Sequence, residues 1–335
     1  MPAAIATTSR QNNFDFLRIL AAFLVLFGHQ LALGGETEIT ILPNISLGTL
    51  GVFMFFIISG FLVSSSWRND PHTWRFLAKR LLRLWPGLAV VVLLAALVMG
   101  PLMSNLSATA YFSSPSLLRY LHTLHFNIQY YLPGVFTNNP YPGAVNGSLW
   151  TIPLELNCYL MLLSLGLLRC LRWPLLVLIA TLATATTLLV FQNQTVQLKW
   201  HFSVFFFAGV CLDLFQPQWR KFAYRYLLGL TCLSLLLFVM HFPEAGLFAI
   251  LPYAVIFFGS SATPLLRKTG KYGDLSYGLY LYAFPIQQLF FSLNGKALSF
   301  YLGLVITLCF TFICAYASWH LIEKPALSLK PGAKI

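Results

Sequence analysis

Residues 14–33 read FDFLRILAAFLVLFGHQLAL, an apolar run of 20 residues that carries Asp15, Arg18 and His29. At 1.5 Å per residue such a run makes a helix of about 30 Å, the thickness of the hydrocarbon core of a bilayer. Ionisable groups inside a span are expensive, so those that are present point to function. Asp15 and Arg18 lie three apart and can pair on one helical face near the N-terminal end. Arg18 and His29 lie eleven apart, which returns to within about 20° of the same face and separates them by about 16 Å along the axis. One stripe of the helix is therefore polar from one membrane surface well into the opposite half. A stripe of that length fits the wall of a cavity better than a single satisfied core histidine.

The rest of the chain repeats the apolar pattern. Of 335 residues, 58% are hydrophobic and 9% charged, and the mean hydropathy is +0.74. Soluble proteins run near 25% charged, and one globular core could not hide so much apolar surface. Runs of about 20 apolar residues predict helices near 14–33, 48–66, 84–103, 148–168, 174–191, 200–215, 226–242, 245–260, 275–293 and 298–320. The expected fold is an all-α polytopic bundle of about ten transmembrane helices, a single membrane domain over 1–335 with no appended soluble domain. No small-residue cleavage site follows the first span, so it is expected to be retained. The net charge of +12 invites a nucleic-acid reading, but the basic residues are scattered among spans rather than gathered on one face. With the N-terminus inside, the 21 Lys and Arg residues divide eighteen to the cytoplasm and three, Arg119, Lys199 and Lys296, to the outside. That asymmetry predicts cytoplasmic termini at both ends. The six cysteines show neither paired spacing nor a His cluster, so no disulfide framework and no metal site is expected.

Three further features bear chemistry. Glu155 lies about seven residues into a span entered from outside, at a depth near that of His29. An imidazole and a carboxylate at matched depth are the parts of an acid–base site, in which the carboxylate orients the ring. A carboxylate at that depth needs a partner, and His29 is the expected one, with Arg119 or a backbone donor as rivals. Arg75, Lys79, Arg80 and Arg83 fall mostly on one face of a short helix, more charge than orientation requires, which suits a phosphorylated ligand in the cytoplasm. The long segment 104–147 is rich in Tyr, Asn, Pro and Gly, including Tyr130-Tyr131-Leu132-Pro133-Gly134 and Asn138-Asn139-Pro140-Tyr141-Pro142-Gly143. Interleaved rings and amides suit sugar binding as well as they suit a membrane-interface belt.

These stretches together resemble the acyltransferase-3 family of membrane acyltransferases. Asn13-Phe14-Asp15-Phe16-Leu17-Arg18 running to His29 resembles its opening helix, and Gly51-Val52 through Phe55-Phe56-Ile57-Ile58-Ser59-Gly60-Phe61-Leu62 its second. Lys79-Arg80-Leu81-Leu82-Arg83-Leu84-Trp85-Pro86 is similar to its basic motif, and Ser148-Leu149-Trp150-Thr151 followed by Glu155 to its Ser-Leu-Trp-Thr signature. Gly273-Asp274-Leu275-Ser276-Tyr277-Gly278-Leu279-Tyr280-Leu281-Tyr282 and Ile322-Glu323-Lys324-Pro325 resemble its closing motifs. Two departures stand out. Leu156 occupies the place of a second acidic residue, and Phe53 stands where many relatives carry an acidic or polar one.

The resemblance implies an O-acyltransferase, foremost an O-acetyltransferase, moving an acyl group from cytoplasmic acyl-CoA to a hydroxyl of a polysaccharide or lipid-linked glycan. His29 and Glu155 become the catalytic candidates. Arg18, Arg75, Lys79, Arg80 and Arg83 become donor-binding candidates, and Tyr130, Tyr131, Tyr141 and Trp150 acceptor-binding ones. Acetyl-CoA would be a substrate rather than a resident cofactor, the bilayer of a bacterial inner membrane the setting, and nucleic acid no partner. The rival reading is a proton-coupled transporter or flippase using the same buried His, Arg and Glu as a relay.

Overall fold

The computed structural model describes residues 12–43, 45–190, 194–294 and 298–331, without the side chains of 194–200. Of the basic residues counted above, Arg10, Lys296, Lys334 and the side chain of Lys199 lie outside the described residues. The described residues are mostly helical, and among them one two-stranded antiparallel sheet of β1 (Thr40–Leu42) and β2 (Ile45–Ser46) lies between the first two helices.

The helices follow in chain order. They are α1 (Phe14–Leu33), α2 (Leu47–Asn69), α3 (Thr73–Leu94), α4 (Gly100–Met103), α5 (Ala108–Phe112), α6 (Pro115–Leu121), α7 (Thr151–Leu167) and α8 (Pro174–Val190). They continue with α9 (Gln194–Leu214), α10 (Gln216–Lys221), α11 (Ala223–Val239), α12 (Pro243–Ser260), α13 (Ser276–Asn294), α14 (Phe300–Ser318) and α15 (Lys324–Ser328). Each of the ten predicted spans is thus helical over most of its length. Among the described residues, six helices are long and apolar enough to cross a membrane: Phe14–Leu33, Leu47–Asn69, Thr73–Met103, Gly147–Leu167, Pro243–Ser260 and Phe300–Ser328. Three further apolar helices, Pro174–Val190, His201–Leu214 and Ala223–Val239, are shorter. The remaining one, α13, is the most enclosed, with both Gln287 and Gln288 fully buried.

Local sequence explains the irregular points. Ser46 caps α2 by accepting from the Thr49 amide at 3.3 Å, satisfying one of the donors a helix start leaves open. Wide π turns at Ala95–Met99 and Trp319–Glu323 each precede a proline, Pro101 and Pro325. Proline has no N–H for the carbonyl four residues back and its ring collides with it; the residue before each proline donates to the fifth carbonyl back, Gly100 to Ala95 and Lys324 to Trp319, and the wider turn makes room for the ring. The threonines of α8 are satisfied within the helix, as where Thr184 donates to the Ala180 carbonyl at 2.9 Å, a cheap way to carry hydroxyls in an apolar span.

Packing centres on α2, which lies between α1 and α9. A Cβ on Gly60 would stand 1.9 Å from the Phe206 carbonyl oxygen, and one on Gly209 2.2 Å from that of Ile57. Glycine at these two positions lets the α2 and α9 backbones touch, the small-residue packing expected where lipid removes the hydrophobic drive between helices. Arg68 locks one end of this pair with a bidentate bond to the buried Asp213, at 2.9 and 2.8 Å. Asn13 ties the start of α1 to the end of α12, donating to the Phe258 carbonyl at 3.1 Å and to Thr263 at 3.0 Å. By contrast α11 buries no residue and packs chiefly on α12, as a lipid-facing flank would.

Candidate active site

A cavity of about 670 Å³ opens among α1, α2, α3, α7 and α13, a size typical of small-molecule sites. Arg18, Lys79, Arg80, Arg83 and Glu155 all line it. The basic segment and the third predicted span turn out to be one continuous helix, so α3 carries its charges directly into the bundle. Arg75 is the exception. It does not line the cavity; it is 41% exposed and pairs with Asp70 at 2.8 Å.

The cations differ in how they are neutralised. Arg18 bonds Asp15 at 3.2 Å and Asp274 at 3.1 Å, and Arg83 bonds the same Asp274 oxygen at 2.7 Å. Ser276 donates to the other oxygen of Asp274 at 2.6 Å. Burial alone would raise the Asp274 carboxyl, but the Arg83 and Arg18 guanidiniums override it and hold it well below the usual carboxylate range. Lys79 bonds Asp70 at 2.7 Å, and that hydrogen bond lowers the Asp70 carboxyl from its ordinary value. Lys330 also lines the cavity. Unlike Arg18, Lys79 and Arg83, Arg80 forms no ion pair among the described residues. Its guanidinium lies 5.8 Å from the ring centres of both Phe76 and Tyr159. One nitrogen reaches Ser66 Oγ at 3.4 Å, and its buried Nε has no hydrogen-bond partner. An unpaired guanidinium in a cavity wall is a site prepared for an anion.

Glu155 has partners other than those expected. Ser59 Oγ donates to its Oε1 at 3.0 Å, and the Tyr159 hydroxyl, one turn along α7, donates to the same oxygen. His29 sits elsewhere: its Nδ1 faces Ser148 Oγ at 3.4 Å and its ring stands edge-on to Phe284 with centres 5.2 Å apart. No hydrogen bond joins His29 to Glu155, and His29 does not line the cavity. The direct pairing expected from matched depth is therefore replaced by a longer connection. Thr151 and Tyr280 close the cavity beside Glu155, their hydroxyls 2.6 Å apart. The Tyr280 hydroxyl also meets the Ser148 carbonyl at 2.6 Å, and the Ser148 side chain reaches His29. Ser148 thus bonds both Tyr280 of the cavity wall and the imidazole.

Beyond His29 lies the long segment 104–147. Tyr141 stacks edge-on to Phe284 at 6.4 Å and is 47% exposed. Tyr130 and Tyr131 pair their backbones with Val145 and Ala144, which places them beside the same turn. Trp150 is not with them; it packs against Phe202, 5.3 Å away, in a cluster with Phe53 and Phe56. Phe53, where a polar residue was noted as missing, is buried in that cluster.

Several of these groups were not singled out from sequence: Asp274, Ser59, Tyr159, Ser148, Thr151 and Tyr280. All but Tyr159 lie inside stretches already quoted as motifs, and Tyr159 is the i+4 neighbour of Glu155, so each had a signal of position though none of role. Among the described residues, no group of three His, Cys, Asp or Glu side chains could hold a metal ion.

The acyltransferase domain of the acyltransferase-3 family matches residues 11–320. An O-acetyl transferase of Shigella phage Sf6 is 27% identical over 335 residues, covering 95% of this chain and 97% of its own. Nodulation protein 10 of Rhizobium leguminosarum bv. viciae is 29% identical over 364 residues, covering 98% of this chain and 96% of its own. No solved structure matches the chain. With a match over nearly its full length to a family of acyltransferases, the transporter reading falls away. The chain belongs to the acyltransferase-3 family and is an acyltransferase.

Proposed function

We propose that the protein is a membrane O-acetyltransferase that takes its acyl group from acetyl-CoA in the cytoplasm and delivers it to a hydroxyl of a polysaccharide or lipid-linked glycan. In this reading the chain crosses a bacterial inner membrane about ten times with both termini inside. The similarity to a phage O-acetyl transferase supports the acetyl group and the oxygen acceptor. One observation carries the proposal: Thr151 and Tyr280 line a cavity with basic walls, and Ser148 bonds both Tyr280 and His29.

The chemistry follows from the two sides. Arg80, which makes no ion pair with a carboxylate, meets the CoA phosphates, with Arg83, Lys79 and Arg18 setting a positive field around it. The pantetheine arm runs up the cavity toward Tyr280. His29 is poised by Ser148 at Nδ1, which leaves Nε2 to act as base. Nε2 takes the proton of the acceptor hydroxyl as its oxygen bonds the thioester carbonyl carbon. The carbon–sulfur bond then breaks, and the CoA sulfur leaves with the proton from the imidazolium. In a covalent variant the imidazole itself is acylated first. Glu155, bonded to Ser59 and Tyr159, orders the Arg80 side of the cavity rather than the imidazole.

The test supplies purified protein with radiolabelled acetyl-CoA and membranes from a strain lacking the gene, whose glycan is the acceptor. The expected product is alkali-labile label on glycan. Label confined to water-soluble acetate, or transfer that ignores the presence of those membranes, would contradict the proposal.

A further inference from the structure

The segment 139–147 is seated on one stripe of α13, and three polar or aromatic contacts at helical spacing hold it there. The Asn146 amide donates to the Leu281 carbonyl at 2.9 Å. Phe284, one turn on, packs so closely under Gly147 that a Cβ there would stand 2.5 Å from its ring. Gln288, a further turn on, makes the densest contact. Its Nε2 donates to the Tyr141 carbonyl at 2.9 Å and the Ala144 carbonyl at 2.7 Å. In return Asn139 Nδ2 donates to the Gln288 carbonyl at 2.9 Å and to its Oε1 at 2.8 Å. Asn139 is 8% exposed and Gln288 fully buried. Positions 281, 284 and 288 share a helix face, so the turn is registered on α13 at three successive levels.

The product of this anchoring is a platform. Tyr141 lies over Phe284, and Phe284 lies against His29. Residues 126–147 contain no Asp, Glu, Lys, Arg or His, so the segment itself offers no charge to a ligand. An exposed ring beside backbone and amide groups, with no charge, recognises the apolar face of a neutral sugar.

We infer that Asn139 and Gln288 are positioning residues for the acceptor, their paired amides holding Tyr141 against Phe284, the ring that also meets His29, as a platform for an uncharged sugar ring. This rests on the glycan-acylating reading above. The two amides touch no substrate; they act through the ring they hold.

The experiment titrates the same gene-deleted membranes, and separately acetyl-CoA, against purified wild type, Asn139→Asp, Gln288→Glu, Tyr141→Ala and the double variant Asn139→Asp with Tyr141→Ala. Asp cannot donate to Gln288, and Glu cannot donate to the Tyr141 and Ala144 carbonyls, while both keep size. Each single variant is expected to raise the half-saturating amount of membranes about tenfold, the loss of a buried hydrogen bond or stacking contact. Half-saturation by acetyl-CoA should stay within about twofold of wild type. The double variant should lose no more than Tyr141→Ala alone, because residues that act through one ring are not additive. Label should be recovered on a neutral monosaccharide after mild hydrolysis. Failure of wild type to label glycan would overturn the glycan reading itself. Labelling by wild type with unchanged acceptor half-saturation in both Asn139→Asp and Gln288→Glu would overturn this inference. So would a donor shift equal to the acceptor shift, the mark of a general structural loss, or label on an acidic sugar.

Discussion

The two ends of the site are held by different physics. On the basic side, charges carry the order: Asp274 bridges Arg18 and Arg83, joining α1, α3 and the turn before α13 through one carboxylate. On the aromatic side, residues 126–147 hold no charge and neutral amides do the same task, Asn139 and Gln288 fixing a turn to α13. In the proposed reading, the division follows what each end binds. Ion pairs preset a field for a multiply charged phosphate compound, and their strength varies with the charge of the ligand. Neutral amides place a ring without a field, which suits a ligand read by shape and hydroxyls. Between the two ends stands a single residue, Ser148, bonded through its carbonyl to one side and through its hydroxyl to the other.

The comparison breaks first if the imidazole does not belong at the junction. His29→Ala should reduce acetyl transfer about 10²–10⁴-fold, the usual loss for a general base, with membrane abundance near wild type. Retention of more than about a tenth of the activity would remove His29 from the chemistry.

The next largest effect should come from Asp274. Asp274→Asn leaves Arg18 and Arg83 without their shared counter-charge, and breaking a buried pair from one side costs about 3 kcal/mol. Detergent-solubilised protein should unfold at markedly lower denaturant than wild type. The pH dependence has a definite sign. The Asp274 carboxyl is depressed on folding, so its contribution is present above the ordinary Asp range and is lost only as pH falls through its lowered folded value. Wild type should therefore show no loss of this contribution between about pH 5 and 8, and a loss in that window would refute the assignment.

A smaller and more selective effect is expected of Arg80. Arg80→Ala should raise half-saturation by acetyl-CoA about tenfold to a hundredfold, the range for losing a charge-assisted bond, and leave acceptor dependence unchanged. Arg80→Lys keeps the charge but loses the planar fork, so it should recover only part of the loss. The smallest effect belongs to Arg75, which is outside the cavity. Arg75→Ala should change donor half-saturation by less than about twofold, as exposed ion pairs contribute little. Equal losses at Arg75 and Arg80 would mean that the basic segment acts through bulk charge alone.

Much of the fold was legible in the sequence because the bilayer imposes a length. The first span was expected at 14–33 and is found at Phe14–Leu33. The third was expected to begin at 84, yet α3 begins at Thr73, because its first turns are basic and fail a hydropathy threshold while remaining good helix. The site was legible as a set of residues and less so as a set of partners. Arg18, Lys79, Arg80, Arg83 and Glu155 do converge on one cavity. Their pairings could not be read, since Asp274 lies 256 positions from Arg18 and 191 from Arg83. Matched depth predicts a contact between His29 and Glu155, but each bonds other groups, His29 meeting Ser148 and Glu155 bonding Ser59 and Tyr159. Trp150 shows the same limit, since an aromatic in a motif packs wherever its helix faces.

The central claim is that the donor binds on one side of Ser148 and the chemistry happens on the other, so that binding and transfer are separable. Equilibrium binding of radiolabelled acetyl-CoA to purified His29→Ala protein, compared with Arg80→Ala and wild type, tests it most directly. The account predicts that His29→Ala binds acetyl-CoA within about threefold of wild type while transferring at least about a hundredfold more slowly, and that Arg80→Ala binds at least about tenfold more weakly. Loss of acetyl-CoA binding in His29→Ala, with full binding in Arg80→Ala, would contradict it.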